Sequence, residues 1–380
     1  MNIIHIGIAS LESKNRMKDI KSIGGIQGYI IDLIKILLIN GIEVTLIGKI
    51  FNYDQFNTLK YYEAQKKITS TNKFLLNLFF KSFFLKLPKK ALIHAHRPDH
   101  YLAFALFKKN LSIISLHGQQ HKTVNDRKGK LTKFIYNYME KIALKKCNYI
   151  LAVDEITKSY YLNLYPFIEK KIYVVPTGVD TKLFKNLDKI SLRKKMGFNT
   201  SHKIITYVGR IEPPKRVEEI VKAFKILNSF DNLYRLILVG GGSSYEKVLD
   251  LVKKLNIEDS VIFMGVKNRI DLPEIYSISD VSVLYSYNEG SPLSIKESLA
   301  CGVPVVANDV GDISTVVFNN YNGYIIENES IEELSNIIKK AVLYSDNLRK
   351  NCIDSIENYS LEKVNLKIID IYRLLLDDEK

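Results

Sequence analysis

The chain has 380 residues, 46% of them hydrophobic and 25% charged, which is the composition of a soluble globular protein of about two domains. Its three cysteines, Cys147, Cys301 and Cys352, form no CxxC pair, which excludes a disulfide framework and a cysteine-based zinc module. The formal net charge is +14, and the whole excess lies in residues 1–171, which carry +16 against −2 for residues 172–380. A basic half-chain indicates nucleic acid, an anionic membrane surface or an anionic substrate, and a lysine-rich coding bias is the alternative.

No targeting or membrane-spanning segment is evident. The start, MNIIHIGIAS, has no basic residues before its apolar run, as a secretory signal would have. No later apolar stretch approaches the ~20 residues that span a bilayer. We therefore expect a cytoplasmic protein.

Short apolar runs alternate with longer amphipathic segments, the pattern of parallel strands covered by helices. In the first half the predicted strands are Ile3–Ile8, Val44–Ile47, Leu92–His96, Ser112–Leu116 and Tyr149–Val153, and the further run Ile172–Val175 is followed by a break at Pro176-Thr177-Gly178. In the second half they are Ile204–Gly209, Arg235–Val239, Val261–Met264, Val281–Leu284, Val303–Ala307 and Gly323–Ile325. A terminal helix with one apolar stripe is predicted from Ser360 to about Leu376. The order predicts an α/β protein of two Rossmann-like halves joined near residue 172.

Glycines mark the first candidate ligand loop. Ligands of open α/β sheets bind beyond the carboxyl ends of the strands, and Gly24, Gly25 and Gly28 open an amphipathic helix that follows the first strand. Glycines at a helix start let backbone amides approach an anionic oxygen, which the helix dipole also attracts. An ordinary flexible turn explains the same glycines.

The loop after the strand Ile204–Gly209 carries two cations. It reads GRIEPPKR over residues 209–216 and places Arg210 and Lys215 at either side of the loop, before the next helix. A guanidinium and an ammonium so placed could neutralise a diphosphate. The alternative is two solvated charges on a surface turn.

The segment NEGSPLSIKESLACGVP, residues 288–304, has the most features. Glu289 ends a loop after a strand, the chain turns, and a helix starts that carries Glu297. Amides near Leu293 and Ser294 would point at a phosphate, and carboxylates eight positions apart could hold hydroxyl groups on either side of it. An acidic helix surface fits Glu297 poorly, because the same helix carries isoleucine and leucine.

Histidines cluster in two loops, HAHRPDH at 94–100 and HGQQH at 117–121. His94 and His96 share one face of a strand, an arrangement that could hold a metal ion. No carboxylate or cysteine at ligand spacing accompanies them, so we predict no metal site.

Taken together and in this order, these motifs resemble those of family 4 of the retaining glycosyltransferases, also called group 1, which have the GT-B architecture. The most specific element is the Glu-x7-Glu signature EGSPLSIKE at 289–297, followed by CGVPVVA at 301–307. Supporting elements are VPTGVD at 175–180, Gly209-Arg210 with Lys215, Gly24-Gly25 and His117-Gly118. The match covers almost the whole chain.

The resemblance implies two Rossmann-like domains that face a central cleft. Residues 1–171 would form the acceptor-binding domain and residues 172–360 the domain that binds a nucleotide-sugar donor. The terminal helix, 361–380, would pack back on the first domain.

The resemblance also implies a role for each motif residue. Arg210 and Lys215 would hold the donor diphosphate, Glu289 would contact hydroxyls of the transferred sugar, and His117 would lie near the sugar's C6 side and the reacting centre. Glu297 would bind the ribose hydroxyls. The substrate-binding set comprises Gly24, Gly25, Val266 near the base, Gly290, Ser291, Leu293, Ser294 and Glu297.

The implied reaction moves a hexosyl group from a UDP- or GDP-linked sugar to a glycan or lipid-linked acceptor, with retention of configuration, in cell-surface polysaccharide synthesis. Arg210 and Lys215 would stabilise the leaving diphosphate, so no metal is required, and we find no DxD motif to hold one. No cofactor is expected, since the nucleotide-sugar is a substrate. The leaving phosphate itself would accept the acceptor's proton.

Two of these motifs depart from the family pattern. Arg216 stands where the family usually has glycine after the lysine, and Ser291-Pro292 replaces a commoner aromatic-glycine pair. These departures leave the diphosphate assignment intact but weaken any inference about the sugar.

Residues 71–90, TNKFLLNLFFKSFFLKLPKK, combine phenylalanines with lysines. Such a segment could dip into an anionic headgroup region, and we predict peripheral association with the inner face of a membrane. A helix buried against the first sheet, with its lysines in solvent, is the alternative.

Other classes share parts of this pattern. A nucleotide-sugar epimerase or a phosphorylase of the same fold is one alternative, although a phosphorylase needs a lysine for a pyridoxal cofactor that we cannot assign. A non-enzymatic nucleic-acid-binding protein rests on the basic charge alone. The chain lacks the aromatic and helix-turn-helix patterns of such proteins, so we expect no nucleic-acid partner.

Overall fold

The computed structural model describes residues 1–10, 25–51, 58–63, 71–118 and 130–377. The chain divides into two compact units. One holds the described residues up to Thr177 together with the terminal helix, and the other spans Gly178–Leu361.

The described part of the first unit forms a parallel sheet of seven strands in the order β3-β2-β1-β4-β5-β6-β7. The strands are β1 (Asn2–Ser10), β2 (Glu43–Phe51), β3 (Lys60–Glu63), β4 (Leu92–Ala95), β5 (Ser112–Leu116), β6 (Tyr149–Ala152) and β7 (Ile172–Val174). The helices between them are α1 (Gly25–Ile39), α2 (Thr71–Phe84), α3 (Pro98–Phe107), α4 (Lys130–Lys146) and α5 (Glu155–Leu164).

The second unit, described throughout, forms a parallel sheet of six strands in the order β10-β9-β8-β11-β12-β13. The strands are β8 (Lys203–Val208), β9 (Tyr234–Val239), β10 (Val261–Gly265), β11 (Val281–Leu284), β12 (Val305–Asn308) and β13 (Gly323–Ile326). The helices are α6 (Lys189–Lys195), α7 (Val217–Phe230), α8 (Tyr245–Lys254), α9 (Leu272–Ile278), α10 (Leu293–Ala300), α11 (Ile313–Val316), α12 (Ile331–Leu343) and α13 (Ser345–Ser355).

Helices cover both faces of the first sheet. Ile3 belongs to one buried cluster and Ile4 to another, as alternation along a strand requires when both faces are buried. The terminal helix α14 (Leu361–Asp377) belongs to the same cluster as Ile3, through Val364, Ile368, Ile369, Tyr372 and Leu375. Its apolar stripe therefore packs within the first unit.

The α/β class and the parallel sheets predicted from the sequence are confirmed, with most strand ends within two residues of the expectation. The short edge strand β3 was not predicted. None of the described helices is long and apolar enough to cross a membrane.

Candidate active site

The candidate site lies where the strand order of the second sheet reverses. From β8 the chain goes to β9 and β10 on one side, and from β11 to β12 and β13 on the other. The loops that follow β8 and β11 therefore leave neighbouring carboxyl ends at a topological switch point, where open α/β sheets bind ligands.

The loop after β8 and the loop after β11 meet through an ion pair. The ammonium of Lys215 contacts the carboxylate of Glu289, and the two side chains are 15% and 10% exposed. The hydroxyl of Ser286 donates a second hydrogen bond to Glu289, at 2.8 Å. Two residues that the sequence placed in separate motifs thus form one charged group at the switch point.

Arg210 is exposed at the start of the loop after β8. Its carbonyl accepts a hydrogen bond from the hydroxyl of Tyr207 at 2.7 Å. The glycine run 240–242 after β9 packs against this loop so closely that a Cβ on Gly240 would lie 1.8 Å from the carbonyl oxygen of Gly209. This run was not predicted as part of the site, although three consecutive glycines after a strand were the signal.

Arg216 adopts a left-handed backbone conformation, with φ of +47°. This backbone conformation favours glycine, and glycine is the usual residue at this position in the family that the motifs resemble. The Arg216 guanidinium lies 3.9 Å from the ring centre of Tyr285 and 4.6 Å from that of Tyr287, and it pairs with Glu329. These contacts offset the backbone strain that arginine brings.

Glu297 is buried on α10, and the Nε of Arg269 donates a hydrogen bond to its carboxylate at 3.1 Å. Arg269 was not predicted from the sequence. Leu293 and Ser294 form the first turn of α10, whose amide groups are not used by the helix itself. An anion at this helix start would meet the amides and the positive end of the dipole.

Three further predicted residues lie at the same sheet edge. Val266 follows the end of β10 and is 42% exposed. Gly290 and Ser291 form the turn before α10, and the hydroxyl of Ser291 donates to the carboxylate of Asp312 at 2.5 Å. Ser291 is therefore already hydrogen-bonded within the protein.

In the first unit, His117 directly follows β5. Its ring lies edge-on to Tyr29, with centroids 4.8 Å apart, and burial lowers its pKa to about 3. Its Nε2 has no hydrogen-bond partner among the described residues. Gly25 is the first residue of α1, and Gly24 lies outside the described residues.

The histidines His94 and His96 are joined by His5 of the neighbouring strand β1, and the nearest ligand nitrogens of the three lie within 4.8 Å of one another. The Nδ1 of His5 lies 3.0 Å from the Nε2 of His96. Both nitrogens of His94 are hydrogen-bonded, to Tyr372 at 2.5 Å and to Ser115 at 2.7 Å. Burial lowers the pKa of all three histidines, so the cluster is neutral at physiological pH. The expectation that no metal binds here stays a prediction.

Comparison with known proteins identifies the family. Residues 188–359 match the model described as Glycosyl transferases group 1, and residues 23–183 match that described as Glycosyltransferase Family 4. The N-acetyl-alpha-D-glucosaminyl L-malate synthase of Bacillus anthracis is 32% identical over 219 residues, which is 56% of this chain and 56% of the relative.

A second relative is the UDP-Gal:alpha-D-GlcNAc-diphosphoundecaprenol alpha-1,3-galactosyltransferase of Escherichia coli, 26% identical over 76% of each chain. The fold resembles that of the sucrose-phosphate synthase of Thermosynechococcus elongatus, with a TM-score of 0.82, 20% identity and 99% coverage of both chains. The chain spans about half the length of the first curated relatives that it matches. With the signature residues gathered at the switch point of the second sheet, the chain belongs to the group 1 glycosyltransferases, a family of transferases with the GT-B architecture.

Proposed function

We propose that the protein transfers a hexosyl group from a nucleoside-diphosphate sugar to a glycan or lipid-linked acceptor, with retention of configuration. The proposal is supported above all by the ion pair between Lys215 and Glu289 at the switch point, beside Arg210 and the start of α10. This arrangement offers cations and amides to a diphosphate and carboxylates to sugar hydroxyls.

The donor would be held by charge and by hydrogen bonds together. Arg210 and Lys215 would bind the diphosphate, and the amides at Leu293 and Ser294 would take a phosphate oxygen. Glu297 would accept hydrogen bonds from the ribose diol, with Arg269 holding its carboxylate in place. Val266 would contact the base through its backbone.

Catalysis would depend on stabilisation of the leaving diphosphate. Cleavage of the glycosyl phosphate bond leaves negative charge on the diphosphate, so cations fixed there before the reaction lower its barrier. The leaving phosphate would accept the acceptor's proton on the same face of the sugar, so no protein base is needed. His117 is neutral at pH 7 and would serve as a hydrogen-bonding group near the sugar.

The choice of donor and acceptor class rests on the relatives. The name of the Escherichia coli relative specifies a UDP-sugar donor and a lipid diphosphate acceptor. We extend to this chain only the class: a nucleoside-diphosphate sugar and an acceptor that is a glycan or is linked to a lipid.

The direct test is a screen for nucleotide release from a panel of UDP- and GDP-sugars. We expect one donor to release nucleotide, and we expect Glu297→Ala, or Arg210→Ala with Lys215→Ala, to abolish the release. Full activity in both variants would overturn the site assignment.

A second observation supports peripheral membrane binding. Phe74 and Leu78 of α2 are buried, whereas the outward-facing side chains of α2 and α3 are 38–77% exposed: Leu76, Phe79, Phe80, Phe83, Phe84, Leu106 and Phe107. The rings of Phe79 and Phe83 each lie 5.2 Å from that of Phe107, so the two helices form one aromatic surface.

Lysines border this aromatic surface. Lys81, Lys86, Lys89 and Lys90 are exposed beside it. Aromatic rings suit the headgroup region, and each nearby lysine adds about 1 kcal/mol on an anionic bilayer. We propose that this surface rests on anionic lipid.

Co-sedimentation with vesicles of phosphatidylglycerol and phosphatidylcholine at low salt tests the surface. We expect wild-type protein to bind, and Phe83→Ser with Phe84→Ser to bind much less. Phe230→Ser is the control, since Phe230 is 81% exposed at the end of α7 in the other unit. A wild-type protein that ignores the vesicles would refute membrane binding.

A further inference from the structure

A fully buried lysine directly precedes Glu297. Lys296 is 0% exposed, and its ammonium donates to the carboxylate of Asp312 at 2.7 Å and to the hydroxyl of Ser291 at 2.5 Å. Lysine is almost never fully buried unless it is paired. None of the roles proposed above uses this charge, so its position requires another explanation.

Asp312 holds the turn before α10 through two bonds. Its backbone amide donates to the carbonyl of Gly290 at 2.8 Å, and its carboxylate accepts the hydroxyl of Ser291 at 2.5 Å. The neighbouring Gly311 has a φ of +64°, and a Cβ there would lie 2.0 Å from the carbonyl oxygen of Gly290. The turn and the segment 311–312 are thus fixed in direct contact.

This turn connects the donor-binding groups. Glu289 immediately precedes it, and the amides of Leu293 and Ser294 follow it at the start of α10. Lys296 lies one turn further along the same helix and reaches back to Ser291. A shift of the turn would therefore move the carboxylate and the amides together.

We propose that Lys296 and Asp312 are positioning residues, which clamp the turn at Gly290 and Ser291 so that Glu289 and the helix-start amides keep the geometry that a sugar diphosphate requires. The inference rests on the proposed function. It also accounts for a departure from the family pattern, because the hydroxyl of Ser291 is the third member of the clamp.

The test compares two buried ion pairs of the same unit. Arg193 donates to Asp280 at 2.7 Å, and this pair lies at the opposite, amino end of the sheet, where β11 begins. Lys296→Met removes the cation that pairs with the buried Asp312, and Arg193→Met removes one of the two cations of the buried Asp280, which also pairs with Lys189, so both should lower the melting temperature.

Only the first variant should alter donor binding. Well below the melting temperature, we expect Lys296→Met to raise the KM for the donor and to lower kcat/KM about 10- to 100-fold, as misplacement of reacting groups does. Arg193→Met should leave both constants within about twofold of wild type. Equal constants in Lys296→Met and wild type would overturn the proposal.

Ser291→Ala covers the case in which Lys296→Met does not fold, because it keeps the ion pair and removes only the hydroxyl link. We expect a smaller rise in donor KM, about three- to tenfold, with little change in melting temperature. Unchanged donor KM in this variant would also count against the clamp. Wild-type protein that releases no nucleotide from any donor would refute the proposed function instead, and titration of UDP and GDP into the same variants would still test the clamp.

Discussion

The histidines at the carboxyl end of the first sheet and the ion pairs at the carboxyl end of the second sheet differ in their chemistry. At the first sheet, His94, His96 and His117 are held neutral by burial. At the second sheet, Lys215 pairs with Glu289 and Arg269 pairs with Glu297. Both ends belong to similar parallel sheets, so the difference lies in the side chains and not in the fold.

This difference shows that solvent access determines which sheet can bind an anion at its carboxyl end. At the carboxyl end of the second sheet, Lys215 and Arg269 each have a carboxylate partner and retain some exposure, so a phosphate can compete for these cations. At the first end desolvation disfavours the charged imidazole, and a phosphate would find no cation among these histidines. The four predictions below test this contrast.

Acid should destabilise the first unit before the second. Burial lowers the pKa of His5 and His117 to about 3 and of His100 to about 4, whereas the unfolded chain protonates histidine near pH 6.5. Stability is therefore intact above pH 6.5 and falls as the pH drops towards 4, by roughly 1.4 kcal/mol per pH unit for each buried histidine. Burial raises the pKa of Glu140 to about 7, which offsets one histidine in this range.

Hydrogen exchange of the full chain at pH 7 and pH 5, followed by mass spectrometry, measures this effect region by region. The second unit has a single, partly exposed histidine, His202, and serves as the internal control. Earlier loss of protection in the second unit would contradict the assignment of the acid-sensitive groups.

Removal of a single cation from the carboxyl end of the second sheet should lower the activity strongly. We expect Lys215→Ala to lower kcat/KM about 10²- to 10³-fold, because it removes one preorganised charge from the leaving group. Lys203→Ala is the matched control, since Lys203 pairs with Asp231 at 2.6 Å at the amino end of the same sheet. Similar kcat/KM values for the two variants would mean that Lys215 does not stabilise the leaving group.

The sequence predicted those features whose residues lie close together along the chain. The strands follow from apolar runs, and Glu289 with Glu297 follows from one motif. Arg269 and His5 were missed because their partners lie 28 and 91 residues away, and the pairing depends on strand order that no local pattern encodes. The strand β3 was missed because it has four residues and a charged residue at each end.

Substitution of Arg216, whose backbone is left-handed, should have a smaller effect, which concerns the free energy of unfolding. Arg216→Ala keeps the strained φ and loses the aromatic and ionic contacts, whereas Arg216→Gly loses the same contacts but relieves the strain. We expect the glycine variant to be more stable than the alanine variant by about 1 kcal/mol, as measured by urea unfolding. Alanine is usually the more stabilising of the two near helices, so the opposite order would show that the backbone is not strained here.

Binding of the nucleotide alone tests the central claim that the carboxyl end of the second sheet holds the donor. Calorimetric titration of UDP and of GDP into wild-type protein should give one site for one of the two nucleotides. Glu297→Ala should weaken that binding about 10- to 100-fold, because the ribose loses a charged hydrogen-bond acceptor. Binding of equal strength in Glu297→Ala and wild type, or no binding of either nucleotide to wild type, would contradict the account.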